Sequence, residues 1–138
     1  MSYDELTYKH LNNLKDKIRD VLRFKNLDNT GDAENSLEIS GNELLGNDYI
    51  YYLDKGRGSG KFPPVNNIVE WVRSKLGLTG TESKQVAFLV GRKIANEGTE
   101  IFKDNSKGIE LDKLVDETLK ELLKELPDKA AAEALTWL

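Results

Sequence analysis

The stretch Lys55-Gly56-Arg57-Gly58-Ser59-Gly60-Lys61 is the first candidate for chemistry, because backbone N–H groups on a glycine loop can cradle a phosphate and a lysine can neutralise it. The motif fails where it matters. Lys55 stands where its first glycine belongs, Phe62 stands where a Ser or Thr would hold magnesium, and Pro63 has no N–H to offer. No nucleotide site is expected. Asn26-Leu27-Asp28-Asn29-Thr30-Gly31 places oxygen ligands at alternate positions before a glycine, in the manner of a calcium loop, but the position of the bidentate glutamate is Leu37. A polar connecting loop is expected instead. His10 is the single histidine, so any catalytic triad or imidazole cluster would have to run through it. It stands between Lys9 and Leu11 with no neighbouring constellation and is expected at the surface or its boundary. The chain has no cysteine, which excludes disulfides, thiolate metal sites and a thiol nucleophile. Carboxylates such as Asp112, Asp116 and Glu117 alternate with lysines on one helix, as solvated faces do. No enzyme, catalytic residue, cofactor or metal is expected.

The segment from Tyr49 to Trp71 has a different character. Tyr49, Tyr51 and Tyr52 bring amphipathic aromatic surface, Arg57 and Lys61 bring positive charge on a glycine stretch, and Phe62, Pro63, Pro64 and Trp71 follow. Tyr, Trp and Arg are enriched where proteins bind proteins. Tyr52, Arg57, Lys61, Phe62, Pro63, Pro64 and Trp71 are therefore candidate interface residues. The same residues also suit a strand core, a helix start and a core tryptophan, and the residue types alone leave both readings open.

These residues need elements to position them. Ser2 with Glu5 forms a capping box that opens a helix with Leu11, Leu14, Ile18, Val21 and Leu22 on one stripe, ending near Lys25. The polar run 26–36 reads as a loop, and Leu37 to Ser40 as a short strand. Residues 48–53, rich in tyrosine, read as a second strand by propensity. The glycines at 56–60 predict a mobile or tightly turned loop. Pro63 and Pro64 suit the first turn of a helix carrying Val65, Ile68, Val69, Val72 and Leu76, closed by Gly77. Thr79 with Glu82 is a second capping box, opening a helix that shares a face among Val86, Ala87, Val90 and Ile94 and stops at Gly98. A polar loop precedes the regular stripe Leu111, Leu114, Val115, Leu119, Leu122 and Leu126, which Pro127 ends or kinks. The tail Ala130 to Leu138 is helix-prone.

With 138 residues, one compact domain covering 1–138 is expected. Apolar residues make up 38% and charged residues 32%, which leaves much of the surface as solvated helix face or as contact surface. A net charge of -4 provides no global attraction to nucleic acid or to an anionic membrane, while a local basic patch remains open. No apolar run has the length of a membrane span, and 1–23 lacks a signal-peptide core, so a chain made and folded in the cytoplasm is expected.

The string Tyr51-Tyr52-Leu53-Asp54-Lys55-Gly56-Arg57-Gly58-Ser59-Gly60-Lys61-Phe62-Pro63-Pro64, followed by Ile68-Val69-Glu70-Trp71-Val72, resembles a signature of tailed-bacteriophage virion proteins. In that family a tyrosine-rich segment leads to Gly-Arg, a glycine stretch, Lys-x-Pro-Pro and a helix with Ile-x-x-Trp. Ala87-Phe88 and Arg92-Lys93-Ile94 through Gly98 continue the likeness, which covers about residues 49–99. The order of several elements matches, rather than one short word.

The resemblance implies a neck, tail-completion or minor tail protein at the head–tail junction of the virion. It also implies an α+β fold with a small antiparallel sheet packed on amphipathic helices. Its implied partners are copies of itself in a ring of six or twelve, portal, adaptor or tail proteins, and DNA passing through the channel, with no membrane. Rings need contacts between different patches on neighbouring copies, so the aromatic, basic segment is expected to meet an acidic patch. Two other functions fit the same residues: a small nucleic-acid-binding protein gripping phosphates with the basic glycine loop, and a monomeric regulatory or inhibitor protein.

Overall fold

A computed structural model describes residues 3–28 and 30–126; Ser2 of the first capping box, Pro127 and the tail 130–138 lie outside them. Helix α1, Tyr3–Phe24, buries Leu6, His10, Leu14, Ile18 and Leu22 at a strict four-residue spacing. His10, expected at the surface or its boundary, is only 4% exposed. The buried seam passes through it, and Leu11 and Val21 fall to the half-buried border.

A loop leads to α2, Asp32–Ser36. Its cap is Asp28, whose carboxylate accepts the N–H groups of Gly31 (3.1 Å) and Glu34 (2.8 Å). The calcium-like spacing therefore reflects a side chain that starts a helix. Strands β1, Glu38–Ser40, and β2, Glu43–Leu45, pair antiparallel with Ser40 opposite Glu43. Gly41 and Asn42 make the turn, with Gly41 at φ 60°.

The second strand expected from the tyrosines is instead helix α3, Tyr49–Lys55. Ile50, Leu53 and Asp54 are buried, at helical spacing, and this tertiary burial outweighs the β propensity of Tyr and Ile. Helices α4, Val65–Leu76, and α5, Gly80–Glu97, form an antiparallel pair. Gly77 closes α4 at φ 69°, whereas the Thr79 side chain makes no capping bond to α5. The polar loop before the last helix contains α6, Glu100–Lys103, and a 3₁₀ turn, Asn105–Lys107, and leads to α7, Leu111–Glu125. On α7, Val115 lies outside the packed face at 44% exposure and Thr118 takes a buried place.

The result is an α+β fold with two apolar cores. The larger collects Leu14, Ile18, Leu22, Ala33, Leu37, Ile50, Leu53, Ile109 and Leu114 from α1, α2, α3 and α7 and the segments beside them. The smaller joins Ile68, Val69 and Val72 of α4 to Ala87 of α5. Ser83, Ala87 and Gly91, one turn apart, keep that side of α5 low enough for α4 to approach. No described helix is long and apolar enough to cross a membrane.

Ion pairs lock α1 to α7. Glu125 accepts from Lys9 Nζ at 2.7 Å and from His10 Nε2 at 3.1 Å, while Lys17 reaches Glu121 at 3.0 Å. His10 Nδ1 is buried with no hydrogen-bond partner among the described residues. The bonds from Lys9 and then His10 hold the Glu125 carboxyl below its ordinary range. A carboxyl depressed in the folded state stabilises fully above its unfolded value, and that contribution disappears as pH falls through the folded value. Glu125→Gln should therefore melt below the parent at neutral pH, with the two melting temperatures converging in acid. A gap that stayed constant into strong acid would show that Glu125 acts by packing alone.

Candidate interaction site

The glycine segment after α3 forms a seam between the two cores. Gly56 (φ 74°, ψ −176°) ends α3 and Gly98 (φ 82°, ψ 174°) ends α5, both in a backbone region that is essentially confined to glycine. Their N–H groups donate to Tyr52 O at 2.8 Å and Ile94 O at 2.7 Å. The two chain segments then bond to each other. Arg57 N–H donates to Thr99 Oγ1 at 3.0 Å, Thr99 N–H to Arg57 O at 2.9 Å, and Gly60 N–H to Ala95 O at 2.7 Å. The loop is thus tightly turned and tied down, the second of the two forms expected of it. Its N–H groups at 57 and 60 are spent on protein acceptors, so they do not form a phosphate cradle.

The seven candidates occupy different positions around this seam. Arg57 lies 4.3 Å above the Tyr52 ring, a cation–π pair, and Tyr51 meets Tyr52 edge-on with ring centroids 5.5 Å apart. Phe62 packs beside Phe88, with centroids 5.6 Å apart, and fills the space above Gly91. Pro63 is buried, Pro64 and Lys61 are exposed, and α4 begins only after Pro64, so the prolines lead into the helix without occupying its first turn. Trp71 stands apart from the basic residues. It lines a cleft of about 160 Å³ with Tyr49, Asn47, Asn67, Asp32 and Glu70; Thr30 completes the lining. Burial, then the charge of Asp28, pushes the Tyr49 hydroxyl above the usual phenol range.

Charge separates along the same boundary. Residues 57–98 carry Arg57, Lys61, Arg73, Lys75, Lys84, Arg92 and Lys93 against Glu70, Glu82 and Glu97, whereas the rest of the chain is acidic. Among the described residues, every ion pair lies outside 57–98. Phe88 and Leu89 of α5 are 53% and 64% exposed beside Arg92 and Lys93. Phe88 and Leu89 were not among the candidate interface residues, because one apolar face was sought per helix. Their place outside the face of Val86, Ala87, Val90 and Ile94 was the available signal of a second apolar surface.

Two buried or half-buried charges hold the scaffold of the seam. Asp54, 5% exposed, accepts the Leu111 N–H at 2.7 Å and so caps α7 from another element. Lys25 Nζ donates to the carbonyls of Ser106 (2.8 Å) and Gly108 (2.7 Å) and to Glu110 (3.0 Å). Gly108 is obligatory there, because a Cβ would lie 2.6 Å from the carbonyl oxygens of Leu53 and Asp54. No group of three or more metal-ligating side chains assembles among the described residues. Comparison of the chain with protein-family models, with curated proteins and with solved structures gives no match.

Proposed function

We propose that the chain is a non-enzymatic structural protein of a tailed-phage head–tail junction, working in the neck or at tail completion as a ring of copies around the DNA channel. The observation that carries the reading is the pairing of exposed apolar side chains with cations that make no ion pair among the described residues, both on the α4–α5 unit and within the span that resembles phage virion proteins. A monomer gains little from leaving Phe88, Leu89, Arg92 and Lys93 together in water, whereas an assembly subunit can use all of them in a contact. The residues of the resemblance also have definite structural tasks: Gly56 and Gly98 make the seam, Phe62 packs on α5 and Trp71 lines the cleft.

Mass analysis of purified particles, with imaging of the neck, tests the location. Arg57→Glu combined with Lys61→Glu tests the loop, with unjoined heads and tails as the expected outcome. Normal numbers of joined particles would remove the loop from the joining step. The excess of cations over residues 57–98 also favours a second reading, DNA binding by this face. A DNA shift by the isolated protein that weakens steeply with salt would support it.

A further inference from the structure

We infer that the acidic, aromatic cleft of one copy receives a basic side chain from α5 of a second copy, with Arg92 and Lys93 as the donors. The inference rests on the proposed ring for its closure and gives that ring its subunit junction.

The cleft has the chemistry of a receptor for a cation. Of the residues that line it, Asp32 and Glu70 carry negative charge, Asn47 and Asn67 have amide oxygens able to accept hydrogen bonds, and Tyr49 and Trp71 have rings whose π faces attract cations. A guanidinium suits such a set, because its planar fork pairs with carboxylates and stacks on aromatic rings. The volume of about 160 Å³ is too small for an ordinary small-molecule site, which takes about 300–1,000 Å³, but it admits the head of one side chain. Asp32 and Glu70 make no ion pair among the described residues.

The matching cations are on the same chain but cannot reach their own cleft. On α4, Ile68, Val69 and Val72 form the buried face, and Ala87 of α5 joins their core. At about 100° per residue, Asn67, Glu70 and Trp71 lie on nearly the opposite side of α4. On α5, Ser83, Ala87 and Gly91 are buried, which turns Leu89, Arg92 and Lys93 outward. One copy therefore presents a cleft and an outer α5 face on different sides, the arrangement of a head-to-tail contact, which closes into a ring or continues as a filament. Exposed Leu45 at the end of β2, two residues before Asn47 of the cleft, and exposed Phe88 and Leu89 near the cations on α5 supply apolar surface to both partners.

Sedimentation of the full chain over a range of concentration and salt tests the contact. The parent should self-associate, more weakly at high salt. Asp32→Lys with Glu70→Lys, and separately Arg92→Glu with Lys93→Glu, should each weaken association at least tenfold. Circular dichroism verifies that each remains folded. Mixing the two variants, or combining all four substitutions in one chain, should restore association, since each basic group again faces an acidic one. A parent that stays monomeric overturns the inference, as does association unaffected by either pair, or a folded fourfold variant that fails to associate. Free arginine amide quenching Trp71 in a Trp137→Phe background, with no association of the protein, would assign the cleft to another ligand and equally overturn it. Association that obeys the charge swaps in a chain absent from virions would leave the junction standing and remove the virion role. A chain present in virions but indifferent to the swaps would do the reverse.

Discussion

Gly56→Ala should destabilise the protein by about 3–5 kcal/mol, because two penalties combine at one position. The backbone at φ 74° and ψ −176° is strained for any residue with a Cβ. That Cβ would also lie 2.2 Å from the Phe102 amide nitrogen and 2.7 Å from its Cα, atoms that cannot turn aside as a side chain could. Relief requires α6 to move, and with it the bonds between Arg57 and Thr99. Gly77→Ala is the control. It too has positive φ, 69°, but a Cβ there meets nothing within 4 Å, so only the backbone cost of about 1 kcal/mol applies. Urea denaturation of both variants measures the difference. Equal losses would mean that the seam is not tightly packed at Gly56.

Core substitutions should reveal an unequal dependence between the two cores. Leu22 is 1% exposed in the larger core, and Leu22→Ala should cost about 2–5 kcal/mol. Val72 is fully buried in the smaller core, and Val72→Ala should cost roughly 2 kcal/mol. The α4–α5 pair has only four buried apolar residues, too few to persist as two helices without the rest of the fold. Loss of the larger core should therefore unfold everything together, whereas weakening the smaller one should release α4 and α5 first. Trp71 reports the second event, since it lies in the cleft between α4 and the α2–α3 region. In a Trp137→Phe background, Leu22→Ala should shift Trp71 fluorescence and far-UV circular dichroism to the same lower midpoint. Val72→Ala should move the fluorescence midpoint below the dichroism midpoint. Coincident transitions in both variants would show that the cores melt as one.

The long helices were legible because α1, α4, α5 and α7 each repeat apolar residues at helical spacing over three or more turns. Helix α3 was not, since seven residues contain too few repeats to contest the β propensity of Tyr49, Ile50, Tyr51 and Tyr52. Strand β1 was readable from Leu37 and Ile39, but β2 was missed although Gly41-Asn42 is a recognised hairpin turn. The burial of His10 was illegible for a different reason. It depends on which side of α1 meets α7, a rotation that the imprecise stripe through Leu11 did not fix. Among the candidate interface residues, the pairing of Phe62 with Phe88 and the separation of Trp71 from the basic residues required three dimensions. Glycine content indicated a turn at 56–60, but not that Gly98, more than one helix away, would be its partner.

The seam also determines how the chain is threaded. It leaves the larger core at Gly56 and returns at Gly98, and Arg57 and Thr99 are already hydrogen-bonded neighbours at the crossing. None of the buried residues of the larger core comes from between those two points. Topologically, the α4–α5 hairpin is an insert: a short turn joining position 57 to position 99 would close the gap it left. The cationic hairpin could therefore be exchanged, lengthened or lost while its host fold kept its own core, so one scaffold could carry interchangeable surfaces.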